Sequence, residues 1–180
     1  EKAQHTFTDE LSHLQNCFRA LRQRREACEL VIEHRPEHRW IMSDEKQITS
    51  IERVEKKSSQ LLVEECMVAA NRAIANALKE AQRPGPFVTH AGIRRDRAEE
   101  AQEFLKRYQP DLEGLEFSTL EGFRTLITTL NASSDERPLR SMVNRLMARA
   151  SLSIKPAPHM GMALSLYTNG TSPLRKALDY

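Results

Sequence analysis

The chain has 180 residues, of which 39% are apolar and 29% are charged, and its formal net charge is +2. This length supports one sizeable hydrophobic core, and the composition is that of a folded globular chain rather than a disordered one. The small net charge does not by itself predict nucleic-acid binding, so such a role must rest on local clusters of charge. No run approaches the ~20 apolar residues that a membrane-spanning helix needs, and no signal peptide is present.

The cysteines indicate the redox environment. Cys17, Cys28 and Cys66 are odd in number and lack CxxC spacing, so they predict neither a disulfide framework nor a metal site. A reduced, cytoplasmic protein fits this pattern. The chain begins without Met and stops where a helix should begin, so we expect it to be a segment of a larger protein.

Arginines are concentrated in a few stretches of the sequence. They are either solvated helix faces balanced by neighbouring glutamates or local sites for anions, and spacing alone leaves both readings open. The clusters are Arg19, Arg22, Arg24 and Arg25; Arg94, Arg95 and Arg97; Arg137, Arg140, Arg145 and Arg149; and finally Arg175 with Lys176.

The first third of the chain predicts a helix followed by an antiparallel sheet. Thr8 and Asp9 offer a cap, and apolar residues then recur at helical spacing to about Glu26. Strand-like runs follow at residues 28–32 and 39–42, with Arg35 and Pro36 in the turn between them. A weaker third strand at residues 47–51 should continue the same sheet.

The strongest helical pattern begins at Ser58 or Ser59. Its apolar residues fall on one face, and the many alanines predict close packing of that face against another element. The predicted stripe comprises Leu62, Cys66, Ala69, Ala73 and Ala77. Glu65 lies beside it, so its carboxylate is either buried and paired or a surface group at the edge of the stripe.

Helices and short strands alternate through the remainder of the chain. Residues 83–86 (RPGP) break the long helix, and residues 87–90 (FVTH) predict a short strand in which His90 either contacts phosphate or closes the strand end. Helices are predicted at residues 96–108, 119–130 and 135–150, and the last strands at residues 151–154 and 162–166. No linker or internal repeat marks a second domain.

A polar turn near the end of the chain offers an anion site. Thr171 or Ser172 can cap a helix that begins near Pro173, which leaves N–H groups and the positive end of the helix dipole available. Arg175 then adds a planar donor fork that suits phosphate. The alternative is an ordinary capped helix with a solvated Arg175–Lys176 pair.

Motifs for a complete catalytic centre are absent from the sequence. There is no P-loop, no HExxH and no Cys/His metal spacing. The six Asp residues are scattered over caps and turns, so none of them form the acidic cluster that holds two Mg²⁺ ions in phosphodiester hydrolysis. We therefore predict no metal ligands in this chain.

Three segments in this order resemble the ribonuclease II (RNB) family of exoribonucleases. Residues 62–71 (LVEECMVAAN) resemble its EE-x-M-x-x-AAN helix, and residues 158–164 (PHMGMAL) resemble its HFGL-x-L strand. Residues 167–179 (YTNGTSPLRKALD) are similar to its Y-x-x-x-TSPIR[KR]Y-x-D motif. Residues 87–90 and 119–123 also match runs of bacterial ribonuclease II, so the similarity covers at least residues 10–180.

The resemblance implies both a fold and an activity. It implies an α+β fold, an antiparallel sheet with packed helices, as one segment (residues 1–180) of an RNB catalytic domain. It further implies Mg²⁺-dependent, processive 3′→5′ hydrolysis of single-stranded RNA to nucleoside 5′-monophosphates. The family's acidic cluster precedes this stretch, and its flanking RNA-binding barrels are absent here, so we expect the isolated chain to be inactive. We expect a cytoplasmic monomer that binds neither DNA nor membrane.

The resemblance also assigns roles to residues at matching positions. Arg175 matches the arginine that holds the scissile phosphate and stabilises its developing charge. One carboxylate of the Glu64–Glu65 pair is expected to contact the terminal nucleotides through a ribose 2′-OH, and Asn71 is expected to be a structural partner. The other expected RNA-contacting residues are Tyr167, Thr171, Ser172, Pro173, Lys176, His90 and Ile32, with His159 as a neighbour in the same motif.

The chain departs from the family pattern at several positions. Ile32 replaces a phenylalanine that stacks on a base, which forfeits most of the ~1–3 kcal/mol of stacking. Met160 stands for Phe, Gly170 for an aromatic and Ala177 for Tyr. These changes bear on how firmly the terminal nucleotides are clamped, and they motivate two alternatives: a catalytically inactive RNA-binding or regulatory relative, and a plain scaffold without RNA affinity.

Overall fold

The computed structural model describes residues 7–29, 37–132 and 139–172. Five α-helices lie within these ranges: α1 (Thr8–Cys28), α2 (Ser58–Glu80), α3 (Ala98–Tyr108), α4 (Leu120–Ala132) and α5 (Leu139–Leu146). The strands are β1 (Glu37–Met42), β2 (Ile48–Val54), β3 (Phe87–Thr89) and β4 (Ser151–Ser153). Short 3₁₀ turns lie at Arg95–Arg97, Pro110–Leu112 and Met160–Met162.

The main hydrophobic core is built by the three helices of the second half. Apolar residues at helical spacing on α4 leave Phe123 and Leu126 fully buried. They pack with Leu105 of α3 and with Leu139 and Val143 of α5. Burial of each such side chain contributes about 1.5–3 kcal/mol, so this cluster is the chief source of stability in the described part of the chain.

Two smaller clusters pack on α2. Val68 contacts Met162 and Leu164. About two turns further along the helix, Ala75 contacts Phe87 and Leu166. The C-terminal segment therefore runs along one face of α2. This face includes Val68 and Ala75, and not the predicted stripe: Cys66, Ala73 and Ala77 are exposed. The stripe prediction was wrong because small apolar residues carry little information about which side of a helix a partner will cover.

The sheets are two antiparallel pairs, β1–β2 and β3–β4. Strand β1 pairs with β2 around a turn at residues 43–47, in which Lys46 has φ 61° and Lys46 N–H donates to Ser43 O. This pairing agrees with the prediction that the strand at residues 47–51 continues an antiparallel sheet from residues 39–42. The predicted strand at residues 28–32 starts too early, because Cys28 and Glu29 belong to the end of the first helix. Cys28 is the last residue of α1, which runs beyond the predicted end at Glu26, and residues 30–32 lie outside the described residues.

The β1–β2 hairpin presents an apolar face to solvent. Trp40 lies opposite Ile51, and Met42 lies opposite Ile48 across a register shift. All four side chains are about half exposed or more. Their cross-strand contacts contribute roughly 0.2–1 kcal/mol per pair.

The predicted strand at residues 162–166 is absent. Met160–Met162 form a 3₁₀ turn, Ala163 has φ 50°, and isolated bridges replace a ladder. The alternation of apolar residues is nevertheless genuine, since Met162, Leu164 and Leu166 are all buried against α2 or β3. An irregular segment lying on a helix face produced the pattern of a strand.

Helices α3 and α4 lie close to their predicted positions, and α5 is shorter than predicted. It ends at Leu146 rather than at residue 150 because the chain then pairs with residues 92–94. Ala148 N–H donates to Gly92 O (2.8 Å), and Arg94 N–H donates to Leu146 O (3.0 Å). This antiparallel junction joins two segments that lie more than fifty residues apart in the sequence.

We expect Gly92→Ala to destabilise the chain more than Gly114→Ala. Both glycines have positive φ (74° and 80°), so both substitutions should cost roughly 1–2 kcal/mol in backbone strain. A Cβ at Gly92 would also lie 3.2 Å from Phe123 and 3.4 Å from Met160, whereas none of the described residues lies within 4 Å at Gly114. Urea unfolding of the two variants measures the difference, and equal losses would contradict this account.

Candidate functional site

The segment that begins the Tyr167 motif is fixed against β3. Val88 N–H donates to Tyr167 O (2.9 Å), and Phe87 and Thr168 form a bridge. The Thr168 side chain is fully buried and donates to Pro86 O at 2.8 Å. Strand β3 thus has β4 on one side and residues 167–168 on the other, and this sets the position of residues 169–172.

Three aromatic rings from distant parts of the sequence form a row. His90 stacks on His159 with centroids 5.4 Å apart, and His159 contacts the Tyr167 ring edge-on at 5.8 Å. Asn71 of α2, itself buried, donates from Nδ2 to the Tyr167 hydroxyl at 2.9 Å. The structure therefore brings together four residues that the sequence singled out.

Backbone hydrogen bonds hold the two histidines side by side. His90 N–H donates to Pro158 O (3.1 Å), and Met160 N–H donates to His90 O (2.9 Å). Gly92 N–H donates to His90 Nδ1 (3.0 Å), so the neutral His90 ring carries its proton on Nε2. The ring also hydrogen-bonds to the backbone of Ala148, which fixes its orientation.

Both histidines are held in the neutral form. Burial lowers the pKa of His90 below its ordinary value of 6.5. Burial, and then the proximity of His90, lowers the pKa of His159 in the same direction. Two stacked imidazole rings repel each other electrostatically when both are protonated. At neutral pH the pair therefore interacts through hydrogen bonds rather than through positive charge.

Glu65 lies in a buried ion-pair network between α1 and α2. Its side chain is 1% exposed, and its Oε1 accepts hydrogen bonds from Arg25 Nη1 (2.8 Å) and Arg22 Nη1 (3.1 Å). Arg72 of α2 pairs in turn with the buried Glu29, and Arg25 Nε lies 3.8 Å from Glu29. Of the two readings of Glu65, the buried and paired one is correct.

Burial also affects the second carboxylate of the network. Desolvation raises the pKa of Glu29 above its ordinary value of 4.5, although Arg72 and Arg25 oppose that shift. Sequence reasoning missed this network. Arg22, Arg25 and Glu29 are spaced i, i+3 and i+7, so they share a face of α1, and that spacing was the available signal.

Glu64 and Glu65 lie on different faces of α2. Because seven residues make nearly two helical turns, Glu64 shares its face with Asn71, the partner of Tyr167. Glu65 is rotated by about 100° from Glu64 and faces α1. Glu64 is half-buried and pairs with Lys56 at 2.8 Å.

The described residues include only part of the predicted phosphate site. Thr171 and Ser172 are half-buried after the anchored Thr168. Ile32, Pro173, Arg175, Lys176 and Ala177 lie outside the described residues. The structure does describe the other predicted site residues, which are His90, Glu64, Glu65 and Tyr167.

Ile74 occupies the space beside Gly170. A Cβ at Gly170 would collide with Cδ1 of Ile74, on the same side of α2 as Asn71. An aromatic side chain at position 170, as in the family pattern, would require Ile74 to move.

Neither a metal-binding cluster nor a membrane-spanning helix is found among the described residues. Within residues 7–29, 37–132 and 139–172, no three His, Cys, Asp or Glu side chains converge to hold a metal ion. No described helix is long and apolar enough to cross a membrane.

We expect Glu65→Gln to cost about 3–5 kcal/mol of unfolding free energy, because it leaves the buried Arg25 and the partly exposed Arg22 without their shared carboxylate. Glu64→Gln is the matched control, and its half-exposed pair with Lys56 should contribute about 1 kcal/mol or less. Chemical denaturation of both variants provides the test. Similar losses would show that the network between α1 and α2 is not stabilising.

We expect stability to fall with pH below about 6.5 through the His90–His159 pair. The folded chain binds protons more weakly at these imidazoles than the unfolded chain does. The free energy of unfolding is therefore not reduced by the pair above pH 6.5. It decreases at lower pH, as the unfolded chain takes up protons that the folded chain binds more weakly. Thermal unfolding between pH 5 and pH 7 measures this slope. His159→Gln should flatten it, and an unchanged slope in this variant would contradict the role of the pair.

The chain matches the RNB domain family over residues 1–180. Among curated proteins, it is 32% identical over 155 residues to Exoribonuclease 2 of Erwinia tasmaniensis, covering 86% of this chain and 24% of that protein. Exoribonuclease 2 of Yersinia pseudotuberculosis serotype IB is 33% identical over 150 residues, covering 83% of this chain and 23% of that protein. The chain thus spans about a quarter of the length of these relatives.

Solved structures show the same fold. Mycoplasma genitalium RNase R, in complex with ribose methylated single-stranded RNA, matches with a TM-score of 0.76 and 16% identity, over 95% of this chain and 27% of that one. Its complex with double-stranded RNA matches with a TM-score of 0.73 and 17% identity, over 94% and 30%. The mixed helices and antiparallel strands are those expected from the resemblance. By the match over its full length, the chain belongs to the RNB domain family.

Proposed function

We propose that the parent protein is a 3′→5′ exoribonuclease that hydrolyses single-stranded RNA to nucleoside 5′-monophosphates. The family match over all 180 residues carries this proposal, and the relatives named Exoribonuclease 2 support it. In this proposal the chain supplies a wall of the RNA channel and the phosphate-binding Arg175. Mg²⁺ is held by an acidic cluster elsewhere in the parent, and the enzyme acts as a cytoplasmic monomer.

The anchored segment gives this role a physical basis. Thr168 and Tyr167 are fixed on β3 and α2, so the following Thr171 and Ser172 start from a rigid support. Hydroxyl and guanidinium donors that are fixed in advance stabilise developing phosphate charge without reorganisation at the moment of reaction. The proposal also assigns RNA contacts to Pro173, Lys176 and Ile32, which lie outside the described residues.

Glu64 is the carboxylate that we assign to the terminal nucleotide. It shares the α2 face of Asn71 and Tyr167, whereas Glu65 is already committed to Arg22 and Arg25. A carboxylate accepts a hydrogen bond from a ribose 2′-OH, a group that DNA lacks. Glu64 therefore accounts for preference for RNA over DNA, and His90 and Tyr167 line the approach.

We expect Glu64→Gln to reduce the preference of the chain for an RNA oligonucleotide over a DNA oligonucleotide of the same sequence. A neutral amide is a weaker acceptor for the 2′-OH, so RNA affinity should fall severalfold while DNA affinity holds or rises. Fluorescence anisotropy with 5′-labelled strands, at two salt concentrations and with or without Mg²⁺, measures both.

Glu80→Gln, at the exposed end of α2, is the control for loss of one negative charge. Equal changes in RNA and DNA affinity would contradict the role of Glu64. The same samples, resolved by length, test catalysis: we expect no progressive 3′ shortening by this chain alone. Shortening that depends on Mg²⁺ would mean that the chain completes a metal site itself.

The alternative is a catalytically inactive RNA-binding or regulatory relative. The filled space between Gly170 and Ile74 favours it, because an aromatic clamp of the family pattern is replaced by aliphatic packing. The sequence of the parent at the position of the family's acidic cluster discriminates between an active enzyme and an inactive RNA-binding protein. Acidic residues there support the enzyme, and neutral replacements support the binding protein.

A further inference from the structure

A groove of about 540 Å³ lies beside the aromatic row, outside the segment of the Tyr167 motif. Ile93, Phe117 and Met160 form an apolar floor, and Arg95 and Arg149 line the rim. None of the roles assigned above uses this groove, apart from His90, which also lines it. Its combination of an apolar floor with cationic edges is the chemistry of a nucleotide site.

The groove brings two arginine clusters together. Residues 92–94 pair with residues 146–148 through two backbone hydrogen bonds and the bridge between Ile93 and Met147. Arg95 continues from one arm of this antiparallel junction, and Arg149 continues from the other. The two arms run in opposite directions, so Arg95 and Arg149 follow opposite ends of this junction.

The charge on these two side chains is not neutralised within the part of the chain that the structure describes. Arg97 of the same cluster pairs with Glu100, and Arg94 lies 3.9 Å from Asp96. Arg95 and Arg149 are both exposed and make no ion pair with a described carboxylate. Two guanidinium groups on one groove, neither in an ion pair with a described carboxylate, favour a ligand that carries more than one phosphate.

Glutamates limit the path of such a ligand on the side of α3. Glu99, Glu103 and Glu116 line the surface that adjoins the groove beyond Phe117 and Ser118. A polyanion is repelled there and attracted toward Arg149. The neutral ring of His90 lines the same groove and stacks on His159, which contacts Tyr167.

We propose that this groove binds the ribose–phosphate backbone of internal nucleotides of a single-stranded RNA whose 3′ end lies at the Tyr167 motif. This inference rests on the proposed function and adds a second RNA contact to it. Arg95 and Arg149 each hold a phosphate, and the apolar floor receives a ribose or base. His90 joins the groove to the terminal site.

The double variant Arg95→Gln/Arg149→Gln tests the proposal through the salt dependence of RNA binding. Each phosphate contact on a single strand contributes about 0.7 to the slope of log K against log salt, so we expect the slope to become shallower by about 1.4. The control Arg39→Gln/Arg83→Gln removes the same charge from the exposed hairpin and from the end of α2. It should leave the slope unchanged, and equal slopes in both double variants would overturn the proposal.

Photo-crosslinking with 4-thiouridine separates the two sites. An internal thiouridine should crosslink to groove peptides that contain Phe117 or Ser118, and a 3′-terminal one to the peptide that contains Tyr167. If the wild-type chain binds RNA and both probes crosslink only near Tyr167, the groove inference fails while the proposed function stands. Absence of any RNA binding by the wild type would overturn both.

A free nucleoside 5′-monophosphate is the competing occupant. If the monophosphate saturates the groove and its binding is lost in Arg95→Gln/Arg149→Gln, while RNA binding keeps its slope, the groove is a product site and the proposal is wrong. Competition of the monophosphate only at concentrations far above those of the RNA strand supports the backbone assignment.

Discussion

The buried carboxylate of Glu65 determines how the first two long helices pack. A charge at 1% exposure is tolerated only when donors surround it, and Arg25 and Arg22 of α1 supply them. Glu29 and Arg72 extend the same network toward the C-terminal ends of both helices. Displacing α1 along α2 would separate buried charges, so the network favours one register where an apolar contact of small residues would allow several.

Once α1 covers one side of α2, the adjacent side is left for the C-terminal segment. Val68 and Ala75 bury Leu164 and Leu166, and Asn71 between them binds the Tyr167 hydroxyl. Two neighbouring residues of α2 therefore have different roles, because they lie on different faces of the helix. Glu65 stabilises the helix pair, and Glu64, one position earlier, lies on the side of the candidate RNA site. The two adjacent glutamates of the family motif are thus not interchangeable.

Local signals in the sequence predicted the long helix, α3, α4 and the pairing requirement of Glu65, because period, caps and the cost of a buried charge act over short distances. Contacts between distant segments were not predictable in this way. Nothing near His90 indicates that its ring stacks on His159, and nothing near residue 147 indicates a bridge to Ile93. The arginine clusters were visible, but only the fold shows which two of them meet at one groove.

The segment after Pro158 shows why an irregular backbone suits this position better than the strand that its sequence suggests. A regular strand would place His159 and Tyr167 on one face at fixed spacing, in a ladder with one neighbour. The observed turn at Met160–Met162, with Ala163 in the left-handed region, lets His159 pack on His90 while Tyr167 reaches Asn71. Buried Met162, Leu164 and Leu166 fix this path on α2 and β3, so a segment without regular hydrogen bonding is still rigid. Rigid support beneath an irregular segment is what a site for a charged, extended ligand requires, because its donors must be in position before the ligand arrives.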